Sequence, residues 1–120
     1  TIKAMYDLLE ENGTLILAVP NYSSYDARHY KQYWAGFDVP RHLWHFDKKA
    51  IQEIFAKLDF SFVSSHPLLI DSYYVSLLSE KYKKSSLKTL RAFFVGTLSN
   101  LKAVFTKQYS SNIFVFKKLP

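Results

Sequence analysis

The sequence contains no cysteine. That excludes a disulfide scaffold, a thiolate zinc site and a cysteine nucleophile, and it fits a cytoplasmic protein. Glycine is nearly absent too: Gly13, Gly36 and Gly96 stand far apart. A Gly-rich turn between a strand and a helix, which lets backbone approach a phosphate or a nucleotide, is therefore missing. No apolar run approaches the length of a membrane span, and no secretory leader pattern is visible. Acidic residues become scarce along the chain. Residues 1–60 hold seven Lys/Arg against eight Asp/Glu, whereas 61–120 hold nine against two. The net charge of +6 thus belongs to the second half.

Aromatic side chains are plentiful, with ten Phe and nine Tyr in 120 residues. Such a chain has apolar surface enough for one packed core and does not read as disordered. It opens in mid-pattern, without an initiator Met, which predicts a fragment of a longer domain.

Ile2, Met5, Leu8 and Leu9 recur at helical spacing and predict the end of a helix, stopped at Asn12-Gly13 with Gly13 in the left-handed conformation. "TLILAVP" follows at once and reads as a strand buried on both faces. Helix, turn and buried strand make the second half of a βαβ unit. Residues 19–46 then lose all period, apart from Ser23, Ser24 and Asp26, which could start a short helix. This stretch gathers both tryptophans and three of the four histidines. Long irregular loops in compact domains are usually functional or disordered.

Asp47 is a plausible N-cap for a helix whose apolar face is Ala50, Ile51, Ile54, Phe55 and Leu58. "FSFVSSHP" alternates as a second strand. A helix over 71–82 has Tyr74, Leu77, Leu78 and Tyr82 as its apolar side. The longest helical pattern runs from Leu87 to Thr106, with Leu87, Leu90, Phe94, Leu98, Leu101 and Phe105 as its stripe. "SNIFVFKK" is a third strand, free to return antiparallel beside the earlier two after the helical insertion at about 71–107.

The segments "LLEENGTLILAVPN", "WAGFDVPRHLWHF" and "KKAIQEIFAKLDF" together resemble the C-terminal half of class I methyltransferases that use S-adenosylmethionine. The resemblance covers residues 2–66, and 111–117 by position. It implies an α/β fold, the C-terminal part of a Rossmann-like sheet. Three strands would form a mixed sheet, with the last antiparallel and between the other two, flanked by helices. It also implies S-adenosyl-L-methionine as cofactor and a small-molecule or lipid-linked acceptor. The family's Gly-rich cofactor turn has no counterpart here, so no cofactor-binding residue is identifiable. The cofactor half is expected to lie upstream, and these 120 residues alone are expected to be inactive.

Methyl transfer to a hydroxyl acceptor needs the acceptor held against the methyl group, water excluded and a proton removed. Histidine suits the last task. His42, in the family-like Pro40-Arg41-His42 segment, is the candidate base, with His45 beside it as a substrate contact. Either could instead be structural. Trp34 and Trp44 could stack on a flat acceptor or plug the loop onto the core. Asp38 and Arg41 could pair with each other or contact a polar or anionic substrate. Asn21, at the end of the first strand, could orient a ligand by its amide, with Tyr22 and Tyr25 at the same mouth. His29, His42 and His45 lack a supporting carboxylate at ligand spacing, so no metal site is expected.

Lys81, Lys83, Lys84, Lys88, Arg91, Lys102 and Lys107 surround the long apolar stripe. Three readings stand: a helix packed on the sheet with a wet basic back, contact with the absent half, or a peripheral membrane contact. Nucleic acid is disfavoured because no binding motif accompanies the charge. The alternative to an enzyme is a non-catalytic module whose basic amphipathic helix binds a membrane surface or an acidic partner.

Overall fold

The structure, a computed structural model, describes residues 2–37 and 47–120. Helix α1 (Ile2–Leu8) leads into strand β1 (Thr14–Pro20). Helix α2 (Tyr25–Tyr30) and two 3₁₀ turns, Lys31–Tyr33 and Ala35–Phe37, follow. Then come α3 (Lys48–Ala56), β2 (Phe60–Pro67), α4 (Asp71–Tyr82), α5 (Lys88–Thr106) and β3 (Ser111–Lys118). The molecule measures 53 × 31 × 18 Å and holds two hydrophobic clusters.

The first cluster belongs to the sheet. Its strand order is β1-β3-β2, with the last strand in the middle. Both ladders are antiparallel, so the expected mixed sheet is replaced by an antiparallel one. β1 and β2 run the same way but do not pair with each other. On one face, Leu15, Leu17 and Val19 of β1 join Phe114 and Phe116 of β3 and Phe60 of β2. Helix α3 lays Ile51 and Phe55 on this face, with the Phe55 ring stacked on Phe116 at 4.4 Å between centroids. Its start is set as the sequence predicts: Asp47 Oδ1 accepts a hydrogen bond from the Ala50 N–H at 2.8 Å. Helix α1 adds Ile2, Tyr6 and Leu9. The Lys118 ammonium donates to the Tyr6 and Leu9 carbonyls, both at 2.8 Å, and so caps the orphan acceptors at the end of α1.

Two expectations at this end need correction. β1 is not buried on both faces: Thr14, Ile16 and Ala18 are exposed, because helices cover only one side of the strand. The left-handed residue after α1 is Asn12, at φ 61°, while Gly13 has no positive φ. Gly13 is required for a different reason. A Cβ there would lie 2.8 Å from the Glu10 carbonyl oxygen.

The second cluster is helical. Ala27, Tyr30, Trp34 and Ala35 pack against Val75 of α4 and Val95 of α5. Here the predicted face of α5 is reversed, and that of α4 holds only in part, at Leu77 and Leu78. The buried side of α4 is Ser72, Val75, Ser76, Ser79 and Glu80, while Tyr74 and Tyr82 are exposed. The buried side of α5 is Ala92, Val95, Gly96, Ser99 and Ala103. The predicted stripe from Leu87 to Phe105 faces outward, and α5 does not lie on the sheet. Small residues win the interface because they let the two helix backbones approach closely, as in tightly crossed helix pairs generally. Gly96 meets Tyr73 so closely that a Cβ would sit 2.7 Å from the ring and 3.1 Å from its Cα. Ser72 and Ser79 spend their hydroxyls on the Leu69, Gly96 and Val75 carbonyls. Their polarity is thus satisfied without partners of bulk.

One carboxylate joins the parts. Asp26 is fully buried. Its Oδ2 accepts from Trp34 Nε1 and Ser110 Oγ, each at 2.7 Å, and its Oδ1 accepts from Ser99 Oγ at 2.7 Å. The Asp26→Asn substitution turns one of these acceptors into a donor facing donors. It should lower the unfolding free energy in urea by roughly 2–3 kcal/mol, against about 1 kcal/mol for Ser99→Ala, which removes one bond. Gly96→Val should destabilise by about 1–3 kcal/mol by overpacking α4 against α5.

Candidate functional site at the strand ends

The registers bring Pro20 of β1 opposite Ser111, and Pro67 of β2 opposite Asn112. The carboxyl ends of both parallel-running strands therefore meet the start of β3 at one edge of the sheet. Open α/β sheets place their ligands at such an edge. Here lies a cleft of about 220 Å³, lined by Lys48, Ser65, Pro67, Lys107, Tyr109 and Asn112. Four elements build it. Lys48 opens α3, behind its N-cap Asp47. Ser65 and Pro67 close β2. Lys107 follows α5 in the left-handed conformation, at φ 62°, which turns the chain back toward β3. Asn112 is buried at the start of β3.

Two ammonium groups and no carboxylate line the cleft among the described residues. With a phenol and an amide beside them, this is a polar setting suited to an anionic group. Sequence reasoning missed Lys48, Lys107, Tyr109 and Asn112. Lys107 was counted only as part of a basic surface, and nothing local marks the others. They come together through strand register.

The predicted site residues divide. Asn21 is 2% exposed and spends its amide on the fold. Its Nδ2 donates to Gln108 Oε1 at 2.9 Å and to the Tyr109 carbonyl at 3.0 Å, and its Oδ1 accepts from the Ser23 N–H at 3.1 Å. It braces the segment that carries Lys107 and Tyr109 and does not present its amide to a ligand. Trp34 is likewise 2% exposed, edge-on to Phe37, with its N–H on Asp26. It is a core plug, which leaves no free face for an acceptor. Tyr22 is exposed beside Asn21. Tyr25 lies in the helical part, under the Lys102 ammonium at 4.3 Å, away from the mouth expected for it. Asp38, Arg41, His42, Trp44 and His45 lie outside the described residues. In the described part of the irregular stretch, Ser24 caps α2 through the Ala27 N–H, as the Ser-Ser-x-Asp pattern allows.

Among the described residues, no three His, Asp or Glu side chains meet at metal-ligand spacing. No described helix is long and apolar enough to cross a membrane.

The family described as "Methyltransferase domain" matches residues 1–65. The chain belongs to that family. The match runs from α1 through β1, the segment 38–46 and α3 into β2, and stops at the cleft-lining Ser65. It supports the class I, S-adenosylmethionine-dependent group that the sequence motifs resemble. Comparison with curated proteins finds no match. The strand-end cleft takes Lys48 and Ser65 from the matched residues and Pro67, Lys107, Tyr109 and Asn112 from beyond them.

His29 offers a direct check on the helical part. It packs its ring against Tyr25 and Tyr30. Partial burial, and then the Lys83 ammonium, hold its imidazole below the usual value of 6.5, against the opposite pull of Glu80 and Asp26. The folded chain therefore binds this proton more weakly than the unfolded one. Its stability contribution is complete above pH 6.5 and declines as pH falls below it, where the unfolded state protonates first. An NMR titration should give a His29 midpoint below 6.5, moved upward by Lys83→Ala.

Proposed function

We propose that this chain forms the acceptor side of an S-adenosylmethionine-dependent methyltransferase acting on a small-molecule or lipid-linked acceptor that carries an anionic group. The observation that carries this reading is a coincidence of place. The family match runs from β1 through α3 into β2, and the dicationic cleft takes Lys48 from the start of α3 and Ser65 from β2 within the matched residues. The sheet is then the C-terminal part of a Rossmann-like sheet, with its central strand returning antiparallel.

When bound, the cofactor supplies an electrophilic methyl group on a sulfonium. The three glycines of this chain stand far apart and form no Gly-rich turn for it. Its Gly-rich cradle is proposed to come from sequence outside these 120 residues. The work left to this chain is to hold the acceptor, exclude water and move a proton. Lys48 and Lys107 hold the anionic group, with Tyr109 and Asn112 as hydrogen-bond partners. Asn21 keeps the Lys107–Tyr109 segment in place. His42 takes the acceptor proton, and Asp38, Arg41, His45 and Tyr22 contact the rest of the acceptor. A cytoplasmic location is part of this reading.

In the complete enzyme, His42→Ala should lower kcat by about a hundredfold. An unchanged rate removes its role as base. Across a panel of carboxylate- and phosphate-bearing acceptors, the Lys48→Ala/Lys107→Ala variant should raise KM about tenfold or more with a smaller change in kcat. Neutral acceptors should show no such rise. The isolated 120 residues should not bind S-adenosylmethionine in calorimetry; tight binding would overturn the division of labour.

A further inference from the structure

Helix α5 is built inside out for a helix of a water-soluble domain. Its small residues face α2 and α4, and its large ones face away. Phe94 is 64% exposed, Leu101 59% and Phe105 88%. At 100° per residue, Leu90, Phe93, Phe94, Leu98, Leu101 and Phe105 fill one outward arc of about 140°. An amphipathic surface helix ordinarily turns such an arc to the core. The helix is about 28 Å long at 1.5 Å per residue. Contiguous exposed apolar surface on that scale marks an interaction face.

The charge around the face says what it meets. Arg91 and Lys102 sit side by side on one flank of the arc, and Lys83 and Lys84 occupy the turn before α5. After Glu80 the chain holds nine Lys/Arg and no acidic residue. A second copy would bring the same cations together around the contact with no carboxylate from this region to offset them. A groove of about 400 Å³ opens on the same face between α2 and α5, lined by Tyr25, His29, Phe94, Leu98 and Leu101. It is almost wholly apolar.

We propose that α5 docks this chain flat on the surface of an anionic phospholipid bilayer. Phe93, Phe94, Leu101 and Phe105 enter the boundary between headgroups and acyl chains, and Arg91 and Lys102 meet the phosphates. Apolar insertion with a cationic flank is the chemistry of an in-plane interfacial helix. The proposal does not depend on methyl transfer, and its test reads binding without turnover.

The full chain is sedimented with vesicles of phosphatidylcholine containing about 30% phosphatidylglycerol, and with phosphatidylcholine alone. Binding to the anionic vesicles should be about tenfold tighter or more, and should weaken several-fold in high salt. Phe94→Glu/Leu101→Glu should abolish it and Arg91→Glu/Lys102→Glu should weaken it strongly. All four side chains are exposed, so the circular dichroism spectrum of each variant should match the parent. Failure to bind, equal binding to both vesicles, or full retention in Phe94→Glu/Leu101→Glu would overturn the proposal. So would a dimer in light scattering that this variant converts to monomer, because the face would then be a self-interface.

Discussion

The buried Asp26 carboxylate is the constraint on which the rest of the molecule depends. A fully desolvated charge is tolerable only when its lone pairs are occupied, and three donors from three separate segments occupy these. Trp34 brings the 3₁₀ turns, Ser99 brings α5, and Ser110 brings the residue before β3. Releasing any one leaves a cost on the others, so α2, α5 and the entry to β3 are set relative to one another. Because Ser110 also accepts the Asn21 N–H through its carbonyl at 2.8 Å, the same node fixes how β1 leaves the sheet. The strand-end cleft inherits its geometry from this node: Lys107 and Tyr109 stand on the segment held between α5 and Ser110.

A second buried acid works alongside it. Glu80 accepts the Tyr30 hydroxyl at 2.9 Å through Oε1, while its Oε2 has no hydrogen-bond partner. Burial, and then the hydrogen bond and charge of Glu80, push the Tyr30 phenol well above its usual range. Tyr30 therefore remains a donor throughout the physiological range, and α2 stays tied to α4.

The sheet part was legible in the sequence and the helical part was not, for a physical reason. In α3 and β3 burial follows apolar periodicity, and local signals such as the Asp47 cap agree with it; β1 and β2 are placed by their apolar runs although Ile16, Phe62 and Val63 are exposed. In α4 and α5 the rule that large apolar residues point inward fails, because backbone proximity at Gly96 and the small serines decides the contact. Periodicity located both helices and misassigned the face of α5, and that of α4 in part. The site shows the same split. Asn21 and Trp34 stand out by type and position, yet their polar atoms are consumed by Gln108, Tyr109 and Asp26. Lys48 and Asn112 carry no local mark, and only strand register brings them to one cleft.

The placement of β3 has a consequence for how the sheet comes into being. β1 and β2 meet only through β3, so β1 waits about ninety residues for the partner that completes its ladder, a separation that slows folding by the cost of closing so long a loop. Until then the edges of β1 and β2 that β3 covers are open, exposed to wrong pairing between chains. During synthesis the helical hairpin of α4 and α5 can close first, from neighbours in sequence. A nascent chain would thus hold a formed hairpin before β1 and β2 gain their shared partner, and a chaperone that shields those strand edges would protect it.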